Sequence, residues 1–162
     1  MDFRLIRVIS IEQAQLVEKL ADKIWTGYYD KFLPPEMTRK MLDNLQRAEN
    51  VLKGGDEYFL LCAEPESPPV GYCAFRDEGE KLYISKLYLL EEHRGKGLVK
   101  FMLDGYLATR PDKRYRSCYL YCNAYSEASV ASYKRLGFVI KDELDREFYG
   151  HKTKDYMLEK EL

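Results

Sequence analysis

The sequence predicts an α+β fold built around an antiparallel meander of strands. Its 162 residues correspond to about one domain, so we treat residues 1–162 as a single domain. Short apolar runs separated by tight turns indicate three consecutive antiparallel strands. Helical periodicity occurs both before and after these strands. The predicted order of elements is therefore β-α-α-β-β-β-α-β-α-β-β.

The N-terminal part predicts one strand and one helix. Polar and apolar side chains alternate over residues 3–9, which indicates a strand. Ser10 and Gln13 have the spacing of a capping box, so a helix is expected to begin after Ser10. We expect Gly27 to end or bend this helix. Its apolar stripe, at steps of three or four residues, consists of Ile11, Ala14, Val17, Ala21 and Ile24.

A second helix is predicted to begin at Pro34 and Pro35, because proline suits the first helical turn. The helix should end at the glycine pair 54–55. Its expected buried stripe consists of Met37, Met41, Leu42, Leu45 and Ala48.

The rest of the chain continues the alternation of strands and helices. The meander comprises residues 57–64, 70–75 and 81–90. A helix follows the glycines near residue 95, and a strand follows at 115–122. The last predicted elements are a helix at 126–136, a strand opening at 137 and a strand at 154–160.

Composition and charge exclude several classes of function. Lys and Arg number 26 and Asp and Glu number 27, a net charge of −1, so no general basic field attracts nucleic acid. The longest apolar run, at 58–63, is too short to cross a membrane. The N-terminal residues lack the apolar region of a signal peptide, so we expect a cytoplasmic protein.

Cysteine and histidine usage argues against disulfides and metals. The four cysteines lie in strand-like apolar runs without a CxxC pair, and we expect buried, reduced thiols. Neither His93 nor His151 has the spacing of a metal ligand, so no metal site is predicted.

The most informative motif is a glycine-rich turn between a predicted strand and a predicted helix. A helix N-terminus exposes unpaired N–H groups, and glycine lets the backbone approach a phosphate. The turn therefore suits a diphosphate, although an ordinary tight turn with solvated cations remains the alternative. Lys100 replaces the third glycine of a dinucleotide fingerprint, which excludes a nicotinamide site. The turn consists of Arg94, Gly95, Lys96, Gly97, Leu98 and Val99.

This segment resembles the acyl-CoA-binding signature of the GNAT superfamily of acetyl-CoA-dependent N-acetyltransferases. That signature is Arg or Gln, two residues, Gly, one residue, and then Gly or Ala. Arg94 and Gly97 match it, and Val99 departs from its last position. The segment SYKRLGF at 132–138 is similar to the Tyr-x-x-x-Gly-Phe segment of the same superfamily. The resemblance, which extends to the order of elements, implies a mixed, mostly antiparallel sheet of about six to seven strands flanked by four helices.

The resemblance also implies site residues. The backbone groups of Leu87, Tyr88 and Leu89 would pair with the pantetheine arm of acetyl-CoA like an added strand. Ser126 takes the place of an Asn that contacts the pantetheine, and its alternative role is a helix N-cap. Tyr133 corresponds to a general acid near the CoA sulfur, and its alternative role is core packing.

The acceptor is expected to be a small amine, because the first two helices and their loop are similar to a bacterial branch that includes polyamine acetyltransferases. The aromatic residues there are either acceptor walls or core: Trp25, Tyr28, Tyr29 and Phe32. The general base is left open between a water chain and Glu36, Glu57, Tyr28 or Tyr29.

Two other functions stay open at this point. Val99 and Ser126 favour a non-catalytic CoA-binding module with the same fold. The acceptor could also be a protein amine, which the absence of an added peptide-binding domain disfavours. A homodimer is compatible with the sequence, which contains no segment that requires one.

Overall fold

The structure is a computed structural model that describes residues 2–64 and 66–162, and its elements follow the predicted order apart from one additional helix before β2. The N-terminal elements are β1 (Arg4–Arg7), α1 (Ile11–Tyr29), α2 (Pro35–Leu45), α3 (Ala48–Lys53), β2 (Glu57–Cys62) and β3 (Gly71–Glu78). The C-terminal elements are β4 (Lys81–Leu89), α4 (Leu98–Ala108), β5 (Ser117–Asn123), α5 (Glu127–Arg135), β6 (Val139–Phe148) and β7 (His151–Glu161). A short 3-10 helix, Glu91–His93, precedes the glycine-rich turn.

The strands form a seven-stranded sheet in the order β1-β2-β3-β4-β5-β7-β6. The pairs β1–β2, β2–β3, β5–β7 and β6–β7 are antiparallel, and β4–β5 is parallel. The predicted α+β class with a mixed, mostly antiparallel sheet is therefore confirmed.

The chain divides into two compact units. The first comprises Met1–Phe75 with Lys86–Pro111, and the second comprises Arg76–Ser85 with Asp112–Leu162. A single domain over residues 1–162 stays a prediction.

In the first unit, β2 is buried on both faces, which explains its uninterrupted apolar sequence. Phe59 faces α4, where its ring meets Tyr106 at 5.7 Å. Phe75 of β3 stacks on the same tyrosine at 4.2 Å. The neighbouring side chains of β2 and β3 join a core cluster with the first three helices: Ala14, Val17, Leu20, Ala21, Ile24, Trp25, Leu42, Ala48, Val51, Tyr58, Leu60, Cys62, Tyr72 and Ala74.

Helix α1 confirms the predicted capping box and corrects its predicted end. The Ser10 hydroxyl accepts from the Gln13 N–H at 3.2 Å, and the Gln13 side chain accepts in return from the Ser10 N–H. The helix continues past Gly27 to Tyr29. A glycine costs a helix about 1 kcal/mol, and the last turn is packed by an edge-on contact between the rings of Trp25 and Tyr29, whose centres are 5.4 Å apart. Ile11 is 45% exposed, because it lies in the first turn outside the buried stripe.

The predicted second helix is two helices, α2 and α3, and this is the main correction to the fold. The break falls at Gln46, which is 1% exposed, and Arg47, which is extended. The Gln46 amide hydrogen bonds with the hydroxyls of Tyr58 and Tyr72, so the break brings this side chain into the core. Leu45 is consequently 50% exposed rather than part of the stripe.

Arg47 also stabilises the break. Its guanidinium pairs with Glu18, Asp22 and Asp43, which joins the start of α3 to α1 and α2. These carboxylates raise the pKa of Arg47, the Asp43 hydrogen bond contributing most.

The second unit contains β5, β6, β7 and α5. The buried apolar side chains alternate along β5, at Cys118, Leu120 and Cys122. The opposite face of that strand carries Tyr119 and Tyr121. The last strand begins at His151, earlier than the predicted 154, because it pairs with the whole of β6 through Phe148.

The cysteine thiols are free and buried, as expected. Burial raises the pKa of Cys118 to about 12. Within residues 2–64 and 66–162, no group of three or more His, Cys, Asp or Glu side chains could hold a metal ion. No helix in this part of the chain is both long and apolar enough to span a membrane.

Candidate active site

The segment between β4 and α4 is a turn with two left-handed glycines. Gly95 has φ 75° and Gly97 has φ 77°, a backbone conformation that strains any residue with a Cβ. A Cβ added at either position would meet no atom within 4 Å, so the turn is open to its surroundings. The backbone dihedral, rather than crowding, therefore requires glycine at both places.

The turn exposes hydrogen-bond donors and positive charge. Gly97 is the N-cap of α4 and supplies no side-chain cap. The first N–H groups of a helix, here those of Leu98 and Val99, have no intrahelical acceptor. Arg94 and Lys96 are exposed on either side of Gly95. Donors, helix dipole and two cations therefore converge on one small region, as an anionic ligand requires.

In the part of the chain that the structure describes, the second half of β4 has one edge that pairs with no strand. The parallel ladder of β4 with β5 covers Lys81 to Tyr83, whereas β4 continues to Leu89. The Leu90 N–H donates to the Val70 carbonyl at 2.9 Å, so the polar groups of Leu90 face β3.

Alternation along the strand assigns the other backbone groups. The Tyr88 carbonyl also faces β3, because a Cβ added at Gly71 would lie 2.5 Å from its oxygen. The N–H and C=O groups of Leu87 and Leu89 consequently point to the opposite edge, which we call the open edge. Of the three residues expected from the sequence, Leu87 and Leu89 thus direct their backbone groups to the open edge, and Tyr88 directs its carbonyl toward β3.

An aromatic cluster lies at the end of α1 and contacts β4. It comprises Trp25, Tyr28, Tyr29, Phe32 and Tyr88. The rings of Tyr28 and Tyr29 are 4.8 Å apart, and Phe32 packs edge-on against both. The hydroxyls of Tyr29 and Tyr88 are 2.8 Å apart. The Arg94 guanidinium lies 6.0 Å from the Tyr28 ring centre, which joins the cluster to the turn.

Of the two interpretations of these aromatic residues, core packing applies to one of them and an acceptor wall is open to the other three. Trp25 is 2% exposed and donates to the Tyr72 hydroxyl at 2.9 Å, so it is a core residue. Tyr28, Tyr29 and Phe32 are only half-buried and have surface available to a ligand.

Glu57, one of the candidate bases, is engaged in ion pairs and a hydrogen bond. Its carboxylate pairs with Arg110 and Arg7 and accepts from the Tyr106 hydroxyl at 3.1 Å. It lies opposite Phe75, four residues along β3 from Gly71. The carboxylate therefore joins β2 to α4.

Ser126 and Tyr133 belong to the second unit. Ser126 is the N-cap residue of α5, but its side chain makes no capping hydrogen bond, so capping does not explain the serine. Tyr133 is half-buried, and its ring meets Phe138 edge-on at 5.8 Å.

Comparison with known proteins decides the family. A family model described as "Acetyltransferase (GNAT) family" matches residues 17–138. The chain belongs to the GNAT family. It is therefore an enzyme, an N-acetyltransferase that uses acetyl-CoA. No curated protein gives a significant match to the chain.

Solved structures show the same fold. The PaiA N-acetyltransferase of Thermoplasma acidophilum, solved with coenzyme A, is 19% identical over 100% of both chains, with a TM-score of 0.81. A GCN5-related N-acetyltransferase of Rhodopseudomonas palustris is 12% identical over 100% of this GNAT chain and 97% of its own, with a TM-score of 0.79. Apo YjaB of Escherichia coli is 17% identical over 98% and 97%, with a TM-score of 0.73.

Sequence reasoning missed Gly71, which lets β3 approach β4 closely on the side of β4 opposite the open edge. A Cβ there would also lie 2.8 Å from the Leu89 Cδ2 atom. A glycine at the start of a predicted strand signals a close backbone approach, and that signal was present.

Proposed function

We propose that this GNAT enzyme acetylates the primary amine of a small cationic molecule, such as a polyamine. The observation that carries the proposal is the aromatic cluster at the end of α1, in contact with the strand that has the open edge. Aromatic ring faces attract ammonium groups and pack on aliphatic chains. Three half-buried aromatic residues therefore offer a binding surface for an aliphatic amine: Tyr28, Tyr29 and Phe32.

In this proposal the turn binds the diphosphate of acetyl-CoA. The left-handed glycines, the open space around them and the exposed donors fit a diphosphate. Val99 contributes its backbone N–H, a donor that is present whatever the side chain at this position. The residues assigned to the diphosphate are Arg94, Gly95, Lys96, Gly97, Leu98 and Val99.

The pantetheine arm would lie along the open edge. Its amides would pair with the backbone groups of Leu87 and Leu89, as an added strand does. Tyr88 lies between them, and its ring packs against Trp25 of the aromatic cluster. Ser126 is retained as a further pantetheine contact on the strength of the family resemblance.

The chemistry is a direct transfer in a ternary complex. The neutral amine attacks the thioester carbonyl, a C–N bond forms and the C–S bond breaks. The Leu89 N–H is positioned on the open edge to stabilise the negative charge that develops on the carbonyl oxygen. In this proposal the amine proton leaves to water.

Tyr133 is proposed to hydrogen bond to the leaving thiolate. A tyrosine hydroxyl ordinarily has a pKa of about 10 and a thiol about 8.5, so complete proton transfer is unfavourable. Stabilisation by a hydrogen bond needs no such transfer.

A panel of amines tests the proposal. Purified protein is mixed with acetyl-CoA and with polyamines, monoamines, amino acids or a lysine peptide, and released CoA thiol is measured. We expect thiol release that depends on the amine and is greatest with polyamines. Acetylation of the peptide alone, confirmed by mass spectrometry, would overturn the small-amine assignment.

A further inference from the structure

We propose that Tyr29 and Tyr88 form a positioning pair that aligns the acceptor amine with the thioester. The inference rests on the proposed function and adds to it a specific contact between α1 and β4. In this scheme the two hydroxyls position groups and transfer no proton. Their hydroxyls, 2.8 Å apart, connect the end of α1 to the strand that carries the open edge.

The ring of Tyr88 is held by the core. Its centre lies 5.4 Å from that of Trp25 and 5.5 Å from that of Tyr72. Tyr72 is completely buried, and its hydroxyl donates to Gln46 at 2.6 Å while it accepts from Trp25. Movement of the Tyr88 ring would therefore disturb a buried hydrogen-bond network, which is costly.

The Tyr88 hydroxyl is neutral at physiological pH. Burial raises its pKa well above 10, and the neighbouring tyrosines add to the shift. A neutral hydroxyl both donates and accepts, so it can hold the Tyr29 hydroxyl without introducing a charge.

Tyr29 controls the loop after α1. It is the last residue of the helix, and its carbonyl accepts from the N–H groups of Phe32 and Leu33 at 3.0 and 2.8 Å. Its ring contacts Tyr28 and Phe32. The position of Tyr29 thus sets the position of Tyr28 and Phe32, the other two residues proposed to bind the amine.

The pair therefore connects two parts of one reaction geometry. Tyr88 is flanked by Leu87 and Leu89, whose backbone groups face the proposed pantetheine. Small errors of alignment lower the rate of a bimolecular transfer, because the reacting atoms must meet in a narrow range of distances and angles.

A double-mutant cycle with Tyr29→Phe and Tyr88→Phe tests the pair. Each variant keeps its ring and loses one hydroxyl. We expect each to lower kcat/KM for the amine about 3- to 10-fold, the effect of one hydrogen bond. The dissociation constant of acetyl-CoA should not change, and the double variant should be no worse than the poorer single variant.

Tyr106→Phe is the matched control. It removes another tyrosine hydroxyl bond in the same unit, the one to Glu57. We expect it to lower the melting temperature without changing kcat/KM. A purely structural role of the pair would make all three variants alike.

The outcomes separate this inference from the proposed function. Wild-type protein that binds acetyl-CoA and acetylates amines, with unchanged kinetics in both pair variants, overturns the pair alone. Additive losses in the double variant also overturn it. If the wild type shows no amine-dependent thiol release, the proposed function is overturned, and the pair is overturned with it.

Discussion

Single residues at the turn before α4 combine a backbone requirement with a chemical one. Gly95 and Gly97 adopt left-handed dihedrals in open space, so neither is fixed by packing against a neighbour. The same dihedral occurs at Gly79 in the β3–β4 hairpin, where a Cβ would also meet nothing within 4 Å. The two sites share the conformational cost and differ in their proposed contact with a ligand.

Gly97→Ala is expected to weaken acetyl-CoA binding about tenfold, because the added methyl obstructs the approach of a phosphate to the helix N-terminus. A left-handed alanine also costs about 1–2 kcal/mol of stability. Gly79→Ala should show the same loss of stability with unchanged affinity. Calorimetric titration with acetyl-CoA, paired with thermal unfolding, measures both, and equal affinities in the two variants would remove the turn from the binding site.

Tyr133→Phe is expected to lower kcat about 10- to 100-fold, because the leaving thiolate loses its hydrogen-bond donor. Acetyl-CoA affinity should be unchanged. Steady-state kinetics with a saturating amine gives kcat, and Tyr125→Phe, at an exposed tyrosine before α5, serves as the control. Full turnover in the Tyr133 variant would end its assignment.

Among the elements of the first unit, β3 approaches β4 closely at Gly71. A Cβ at Gly71 would lie 2.5 Å from the Tyr88 carbonyl oxygen. This oxygen belongs to the backbone, so it cannot rotate away. Gly105 of α4 faces a milder conflict, because its Cβ would lie 2.7 Å from Leu5 Cδ1, the end of a flexible side chain. A Cβ at Gly71 would therefore meet an atom that cannot move, whereas a Cβ at Gly105 would meet a side chain that can.

Gly71→Ala should destabilise the protein by about 1–3 kcal/mol through overpacking. The displaced end of β4 should also weaken acetyl-CoA binding. Gly105→Ala should cost less, since Leu5 can shift and alanine favours a helix. Chemical denaturation measures the stability of both variants, and titration with acetyl-CoA measures their affinity. A Gly71 variant as stable as the wild type would contradict the close approach.

The whole molecule is nearly neutral, so particular ion pairs rather than net charge govern its response to acid. The Asp77 carboxylate accepts from the Gly79 N–H at 2.9 Å and pairs with Lys113 at 3.0 Å, which lowers its pKa. Hydrogen bonding from Ser117 and the pairing with Lys81 likewise lower the pKa of Glu159. Carboxylates with lowered pKa values stabilise the folded state above their unfolded pKa, about 4, and this contribution is lost as the pH falls through the folded value.

Asp77→Asn should therefore make the protein less stable at pH 7 and about equally stable near pH 2, where the wild-type carboxyl is protonated. Its melting temperature should fall less steeply than that of the wild type between about pH 5 and 2. Asp112→Asn removes the same charge from an exposed position and should leave the slope unchanged. Parallel curves for the Asp77 variant and the wild type would contradict the lowered pKa.

Local patterns in the sequence determined the order of the strands, the capping box at Ser10 and the glycine-rich turn. Each depends on residues a few positions apart, whose periodicity or dihedral preference is visible in the chain. The family followed from the same turn, because its residue types and spacing are specific.

The tertiary structure alone decided the break at Gln46, the engagement of Glu57 with two arginines and the contact of Tyr29 with Tyr88. The last of these joins residues 59 positions apart. It also decided which backbone groups of β4 face β3 and which face the open edge. Such features depend on which distant residues meet, and an amide, a carboxylate or a hydroxyl shows no preference for a distant partner in its own neighbourhood of the chain.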